Sequence, residues 1–400
     1  MKLFMKLNRQ QVAGLRAGAS LGFGVSALAV LVLASEALAQ PEQWLQYHAS
    51  REGRAYRWLE ATTNAPAGVA LPKLNAKPFF VHWNTPLDPK GRWLCFDRSR
   101  RSGSYDRLYA DTTGDGRLDN KAAVTTSALD QINSMFSPVR MVFKGEDGPI
   151  TYHLLLRVLK YGDNDVRVLA QSGGYYAGTV NFGGKKHRVE LIDANVNGAF
   201  DDLASDPDSC DEIQVSDDKE TEQRCLGRLL EVDGQLFRVE VARDGAFIKV
   251  QKAENVALGK VRVPEKISAL TAVGENGQFT RKPDKGELSL PAGSYRIHQW
   301  LVERKDQRGA LWHMTADRFD AASNFKASPD SPVSLDIGEP VRMVLEPFES
   351  RGEVSFRLQF AGRRGEMIDI MRGSERPRPP MLTLTSLDGS YRYTNSFEFG

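Results

Sequence analysis

Two short runs of oxygen-bearing side chains are the residues in this sequence best placed to do chemistry. In DTTGDGRLDN, Asp111, Thr113, Asp115 and Asp119 occupy the first, third, fifth and ninth places of a loop, with Gly116 at the sixth and Arg117 at the seventh. A hard cation such as calcium takes roughly six to eight oxygens, so the backbone must curl tightly around it. Alternate side chains then point inward, glycine at the sixth place permits the sharp turn, and the seventh residue, here Arg117, offers its carbonyl. In DANVNGAFDD, Asp193, Asn195, Asn197, Gly198 and Asp201 repeat the spacing, and Asp202, Asp206, Asp208, Asp211 and Glu212 follow. Carboxylates at this density repel one another unless a cation or solvent screens them. The expected cofactor is calcium in both loops; a metal-free Asp-Gly turn and a solvated acidic loop are the alternatives.

The spacing resembles the loop of EF-hands and of isolated, dockerin-like extracellular calcium sites. The resemblance covers the loops alone. Place twelve of the first loop is Ala122, where an EF-hand has a bidentate glutamate, which implies weaker binding than in a calcium sensor. Dockerins set two such loops in tandem with helices. Here they lie about 80 residues apart between strand-like segments, so the resemblance implies ion chemistry and no cohesin partner.

Catalytic patterns fail where they occur. Gly18-Ala-Ser20-Leu-Gly22 matches a nucleophile elbow but lies in a segment that reads as a leader. Ser216-Asp-Asp-Lys219 lacks companion motifs, and the Gly-Gly-Lys-Lys at 183–186 lacks the spacing of a phosphate loop. His48, His82, His153, His187, His298 and His313 are scattered and form no zinc-type pair. Asp97 and Asp106 are weak carboxylate candidates by proximity to the first loop. Tyr175, Tyr176, Trp300 and Trp312 suit either a sugar-stacking face or core packing.

The chain of 400 residues opens with Lys2, Lys6, Arg9 and Arg16, an apolar run of about 14 residues from Leu21 to Ala34, and Ala37-Leu38-Ala39. That order is expected of a signal peptide cleaved after Ala39, because the run is shorter than the roughly 20 residues a membrane-spanning helix needs. The product is expected to be periplasmic or secreted, with no membrane span. Loss of the leader removes four of 53 basic and one of 51 acidic side chains, leaving 49 against 50. A near-neutral chain with interleaved charges argues against nucleic-acid binding, which needs a basic stripe; Arg98, Arg100 and Arg101 are the one tight basic cluster. Of three cysteines, Cys210 and Cys225 are the disulfide candidates, a closure worth about 3 kcal/mol. Cys95 reads as a buried strand residue.

About 360 residues beyond the leader exceed what one core usually organises. Residues 40–75 are expected to form a helical and linker segment, on the spacing of Trp44, Leu45, Tyr47, Tyr56, Trp58 and Leu59. The texture then turns to short alternating runs divided by Gly, Asp, Asn and Pro, which predicts strands. Asp233-Gly234 and Asp244-Gly245 between alternating runs predict hairpins. The expected fold is mainly β: antiparallel β-sandwich or meander domains after a short helical N-terminal segment, with a β-rich domain over 76–254 carrying both loops and a β-sandwich over 255–400. GKVRVP, VGENGQFT and LPAGSYRI resemble transthyretin-like, carboxypeptidase-regulatory sandwiches over some 45 residues. The chain stops at Phe397-Glu398-Phe399-Gly400 inside a strand-like run, so further chain is expected beyond it; an intact mass matching 40–400 would dismiss this.

Together these features predict an exported, calcium-stabilised protein with a non-catalytic binding or structural role, its partner a cell-surface polysaccharide or protein. The alternative is a calcium-dependent hydrolase acting on polysaccharide.

Overall fold

The computed structural model describes residues 41–398, apart from 51–52, 76, 101–102, 119–123, 131, 146–147, 163–164, 205–208, 217–220, 318, 320–322 and 351–352. The leader, Asp119 of the first loop, and Asp206 and Asp208 of the second lie outside the described residues.

The described chain is built from strands in mostly antiparallel sheets, with one parallel pairing, of Leu258–Arg262 with Val333–Ser334, and no α-helix. The helix expected in the N-terminal segment is replaced by strands. Gln43–Trp44 pairs Phe247–Lys252, Gln46–Ala49 pairs Gly174–Phe182, and Tyr56–Leu59 pairs Val166–Ser172. These pieces are two to four residues long. A period of two cannot show over so few residues, and the aromatic spacing mimicked a helical face.

A ten-stranded sheet dominates the first part of the chain. Tyr56–Leu59 lies at one end of its strand order and Ala61–Thr62 at the other, so consecutive residues nearly close it into a barrel. In the strand Phe79–Thr85 the alternation is plain: Phe79, Val81 and Trp83 enter the main core, and Phe80 joins a satellite cluster with Cys95, Tyr109 and Leu118. His82 and Asn84 remain on the outer face, partly or fully exposed. Cys95 is fully buried, and burial pushes its thiol up to about 12.

A five-stranded sheet and a four-stranded sheet share the main core, which draws its buried residues from Leu45 to Ile248. The two-residue turn Asp233-Gly234 has both φ angles positive, the backbone that aspartate-glycine favours, and it joins Leu229–Val232 to Gln235–Val241. The second Asp-Gly turn likewise joins paired strands, Gln235–Val241 and Phe247–Lys252.

A second core takes Leu229 and residues from Val261 to Ile368, with Trp300 at its centre, fully buried and donating its indole N–H to Glu366 at 3.0 Å. Trp300 is therefore packing, not a sugar platform. The strands Arg342–Ser350 and Glu353–Ala361 pair over their whole length but join the rest of their sheet only at Ala361↔Met367. This hairpin carries exposed Met343, Leu345, Phe348 and Val354.

The backbone segments of the two cores meet at Gly227 and Gly277. A β-carbon at 227 would collide with the backbone of Gly277, and Arg228 and Leu229 donate backbone N–H groups to the carbonyls of Glu275 and Asn276 at 2.9 and 3.0 Å. Gly227→Ala should destabilise the protein by about 3 kcal/mol, seen as a lower midpoint in chemical denaturation; an unchanged midpoint would show that the contact is slack.

Candidate functional site

The two loops predicted from sequence share one backbone design. In the first, Asp111 accepts hydrogen bonds from the backbone N–H groups of Asp115 at 3.1 Å and Gly116 at 3.1 Å. In the second, Asp193 accepts from Asn197 at 3.2 Å and Gly198 at 2.7 Å. The fourth and sixth places are left-handed in both: Gly114 and Gly116 at φ 78 and 73, Val196 and Gly198 at φ 55 and 94. The first carboxylate thus gathers the amides of places five and six and curls the turn.

Their surroundings differ. In the first loop Thr113, Asp115 and Arg117 are exposed, and Asp115 receives the backbone N–H of Arg117 at 3.0 Å. The guanidinium of Arg92, paired with Asp88, lies against Gly114 so closely that a β-carbon there would overlap it. A protein cation thus stands beside this loop. The carboxylates of Asp97 and Asp106 serve nearby turns: Asp97 accepts from the Asn75 backbone at 3.0 Å and Asp106 from Ser99 at 2.6 Å.

The second loop is drawn into the protein. Val196, Ala199, Phe200 and Ala204 are buried between its polar residues, with Phe200 edge-on to Tyr176 at 5.1 Å. Val196 is β-branched and left-handed, a conformation that costs on the order of 1–3 kcal/mol. Its full burial and the indole N–H of Trp83, donated to its carbonyl at 2.8 Å, hold it there. Trp83 in turn stacks on Tyr152 at 5.6 Å.

Three carboxylates hold the amides of this loop by hydrogen bonds. Asp193 and Asp211 are 0% and 1% exposed. Asp211 arrives from the start of the strand Glu212–Ser216 and accepts backbone N–H groups from Ala194 at 3.2 Å and Asp202 at 2.9 Å. Asp202 accepts the side-chain amides of Asn195 at 2.9 Å and Asn197 at 2.6 Å. Asp201 stands slightly apart, 3.6 Å from Arg243.

No Lys or Arg pairs with Asp193, Asp202 or Asp211 among the described residues. Burial, only partly offset by amide hydrogen bonds, raises the affinity of Asp193 for a proton; burial and the neighbouring Asp193 raise that of Asp211 further. The Oδ1 of Asn195 is buried without a hydrogen-bond partner, and the buried hydroxyl of Tyr152 lies beside Asp193. A buried charge needs a partner, and Asp193 and Asp211 have backbone amides but no basic side chain among the described residues.

Among the described residues, no three His, Cys, Asp or Glu side chains converge in metal-ligating fashion. The donor set of the second loop is instead mixed, with two buried carboxylates, Asn195, Asn197 and Asp202. Carboxylate, amide and carbonyl oxygens together are what calcium accepts, whereas zinc prefers nitrogen and sulfur.

Cys210 and Cys225 stand beside this loop as adjacent buried thiols, one hydrogen-bonded to the other, with Ala204 and Val273 around them. Cys225 lies opposite Glu212 in the strand pairing. The proposed stacking residues Tyr175 and Tyr176 divide: Tyr176 packs on Tyr47 and Phe200, while Tyr175 lies between His48 and the guanidinium of Arg54. Trp312 donates to Asp306 at 3.1 Å.

Compared with protein-family models, curated proteins and solved structures, the chain matches none.

Spacing picked out Asp193, Asn195 and Asn197. It did not mark Asp211 above the other acids of 201–212, nor Trp83, which is 113 residues from Val196. Trp83→Phe, which leaves the buried carbonyl of Val196 without its donor, should lower stability by about 1–3 kcal/mol in urea denaturation. A loss well below that range would mean the left-handed turn stands without the indole.

Proposed function

We propose that this chain is an exported, calcium-stabilised β protein whose role is non-catalytic binding or structural support at the cell surface or in the periplasm. The observation that carries the proposal is the Asp193–Asp211 pair, buried without a basic partner next to the unpartnered Oδ1 of Asn195. A divalent cation would supply the missing charge and turn a self-repelling cluster into a tie. The tie would join the end of the strand Lys185–Ile192 to the start of Glu212–Ser216, two strands paired side by side. The carboxylates are directed at their own loop's amides, which suits a structural ion. The first loop, with Arg92 beside it and exposed third and fifth places, is the weaker of the two.

The signal-like leader supports export into compartments where calcium is plentiful and thiols oxidise. There Cys210 and Cys225 would close the segment that carries Asp211. Ion binding stabilises the folded state by linkage, by about 2.7 kcal/mol at one hundred times the dissociation constant.

Thermal melts in EDTA and in millimolar calcium test the reading. Calcium should raise the melting temperature, and terbium bound at the same loop should luminesce on ultraviolet excitation of the adjacent Trp83. Asp211→Asn removes a buried charge while keeping the side-chain shape. It should melt at or above the parent in EDTA yet lose the calcium shift. A parent that ignores calcium, together with an Asp211→Asn variant that melts lower in EDTA, would reduce the carboxylates to hydrogen-bonding turn residues.

A further inference from the structure

Where the ten-stranded sheet closes on itself, its outer face holds a groove of about 420 Å³, within the range of roughly 300–1,000 Å³ that ligand sites occupy. Its walls come from both ends of the sheet. Residues 57–62 pass along one side, and His82, Asn84 and Trp93, from the strands Phe79–Thr85 and Asp88–Asp97, form the other. The indole of Trp58 is 50% exposed. Trp93 is partly exposed and packs against the His82 ring at 4.7 Å with a 41° tilt. The His82 Nε2 lies 2.8 Å from the carbonyl of Lys90, which fixes the ring. Gly91 is left-handed, and a β-carbon there would strike that ring, so the glycine is what lets the histidine lie flat against the hairpin.

The polar groups around these rings are the informative part. The side chains of Arg57, Glu60 and Asn84 form no hydrogen bond or ion pair with the described residues, and neither indole N–H does. The groove thus offers the exposed indole of Trp58 and the part of the Trp93 indole that His82 and the satellite cluster leave open, ringed by unpaired donors and acceptors that include one acid and one base. Leu59 is buried and Ala61 is small, so the floor holds no deep apolar hole for a peptide side chain. The two strands that flank the seam, Tyr56–Leu59 and Ala61–Thr62, are four and two residues long, which leaves little backbone for strand addition.

We infer that this seam groove binds a neutral, β-linked glucan chain. A β-glucopyranose carries its hydroxyls around the rim of the ring and C–H groups on its two faces. The C–H faces match the indoles of Trp58 and Trp93, and the hydroxyls, which both donate and accept, match the donors of Arg57, the acceptor oxygens of Glu60 and the amide of Asn84. Glu60 is the one carboxylate lining the groove; glycoside hydrolysis ordinarily takes two, so the chemistry is retention and not cleavage. The inference rests on the non-catalytic binding role proposed above and names the partner.

The test uses the intact exported protein in calcium, titrated with cellohexaose, laminarihexaose and xylohexaose by calorimetry and by tryptophan emission. Cellohexaose or laminarihexaose should bind and shift the emission without being shortened. Trp58→Ala and Asn84→Ala should each weaken binding about tenfold or more, as anchor residues do, while Trp44→Ala, an exposed tryptophan outside the groove, should leave it unchanged. Should Trp58→Ala fail to fold, the exposed Asn84 position decides. No binding of either glucan, or equal affinity in the groove variants, overturns the inference. Calcium-dependent melting with no glucan binding would sink this inference alone; glucan binding without a calcium shift would sink only the calcium reading.

Discussion

A sheet that closes on itself has no free edges to protect, but its first and last strands must arrive at the same place. In this protein chain neighbours, Leu59 and Ala61, bring the two end strands together and nearly close the sheet, with no pairing between those strands among the described residues, and the rest of the first core is arranged around them. The strand Phe79–Thr85, next to the seam, serves two purposes through its alternation. Its inward Trp83 crosses the core to hold the turn at Val196, and its outward His82 and Asn84 form one wall of the groove. One residue of register separates the two roles. A slip of that strand would lose both at once.

The second loop shows how electrostatics and packing divide the work. Apolar residues at its fourth, seventh and eighth places, Val196, Ala199 and Phe200, drive the segment inward, and the carboxylates of Asp193 and Asp211 have to follow. Amide hydrogen bonds meet part of the resulting desolvation and leave the two acids holding protons more tightly than exposed carboxylates would. The first loop has the same turn geometry and a buried leucine, Leu118, at its eighth place, but Gly114 and Arg117 stand at the fourth and seventh, and Thr113, Asp115 and Arg117 stay at the surface. Equal spacing therefore yields two different environments, and the hydrophobic residues between the ligands make the difference.

Much of this was legible along the chain. The short alternating runs, the Asp-Gly turns and the paired loop spacings are local, and local signals survive without knowledge of the fold. The N-terminal strands were not legible, because pieces of two to four residues pair with partners more than a hundred positions away and carry no period of their own. Asp211 could be named among the following acids but not singled out, since its place beside Asp193 depends on the pairing of Lys185–Ile192 with Glu212–Ser216. The groove was invisible for the same reason: Trp58, His82 and Trp93 are adjacent only because the sheet closes. Trp300 looked like a stacking candidate, and its full burial, with its indole N–H satisfied by Glu366, made it a core residue.

The hairpin formed by Arg342–Ser350 and Glu353–Ala361 has a colloidal consequence. It reaches past its sheet, shows Met343, Leu345, Phe348 and Val354 to solvent, and leaves two strand edges unpaired over most of its length. Such an element invites edge-to-edge association between molecules. Between those apolar residues stand Glu346, Glu349, Glu353 and Arg357, whose charges keep one hairpin from seating on another. Neutralising them would leave both cores intact and still make the protein self-associate, so its solubility and its folding stability are set in different parts of the chain.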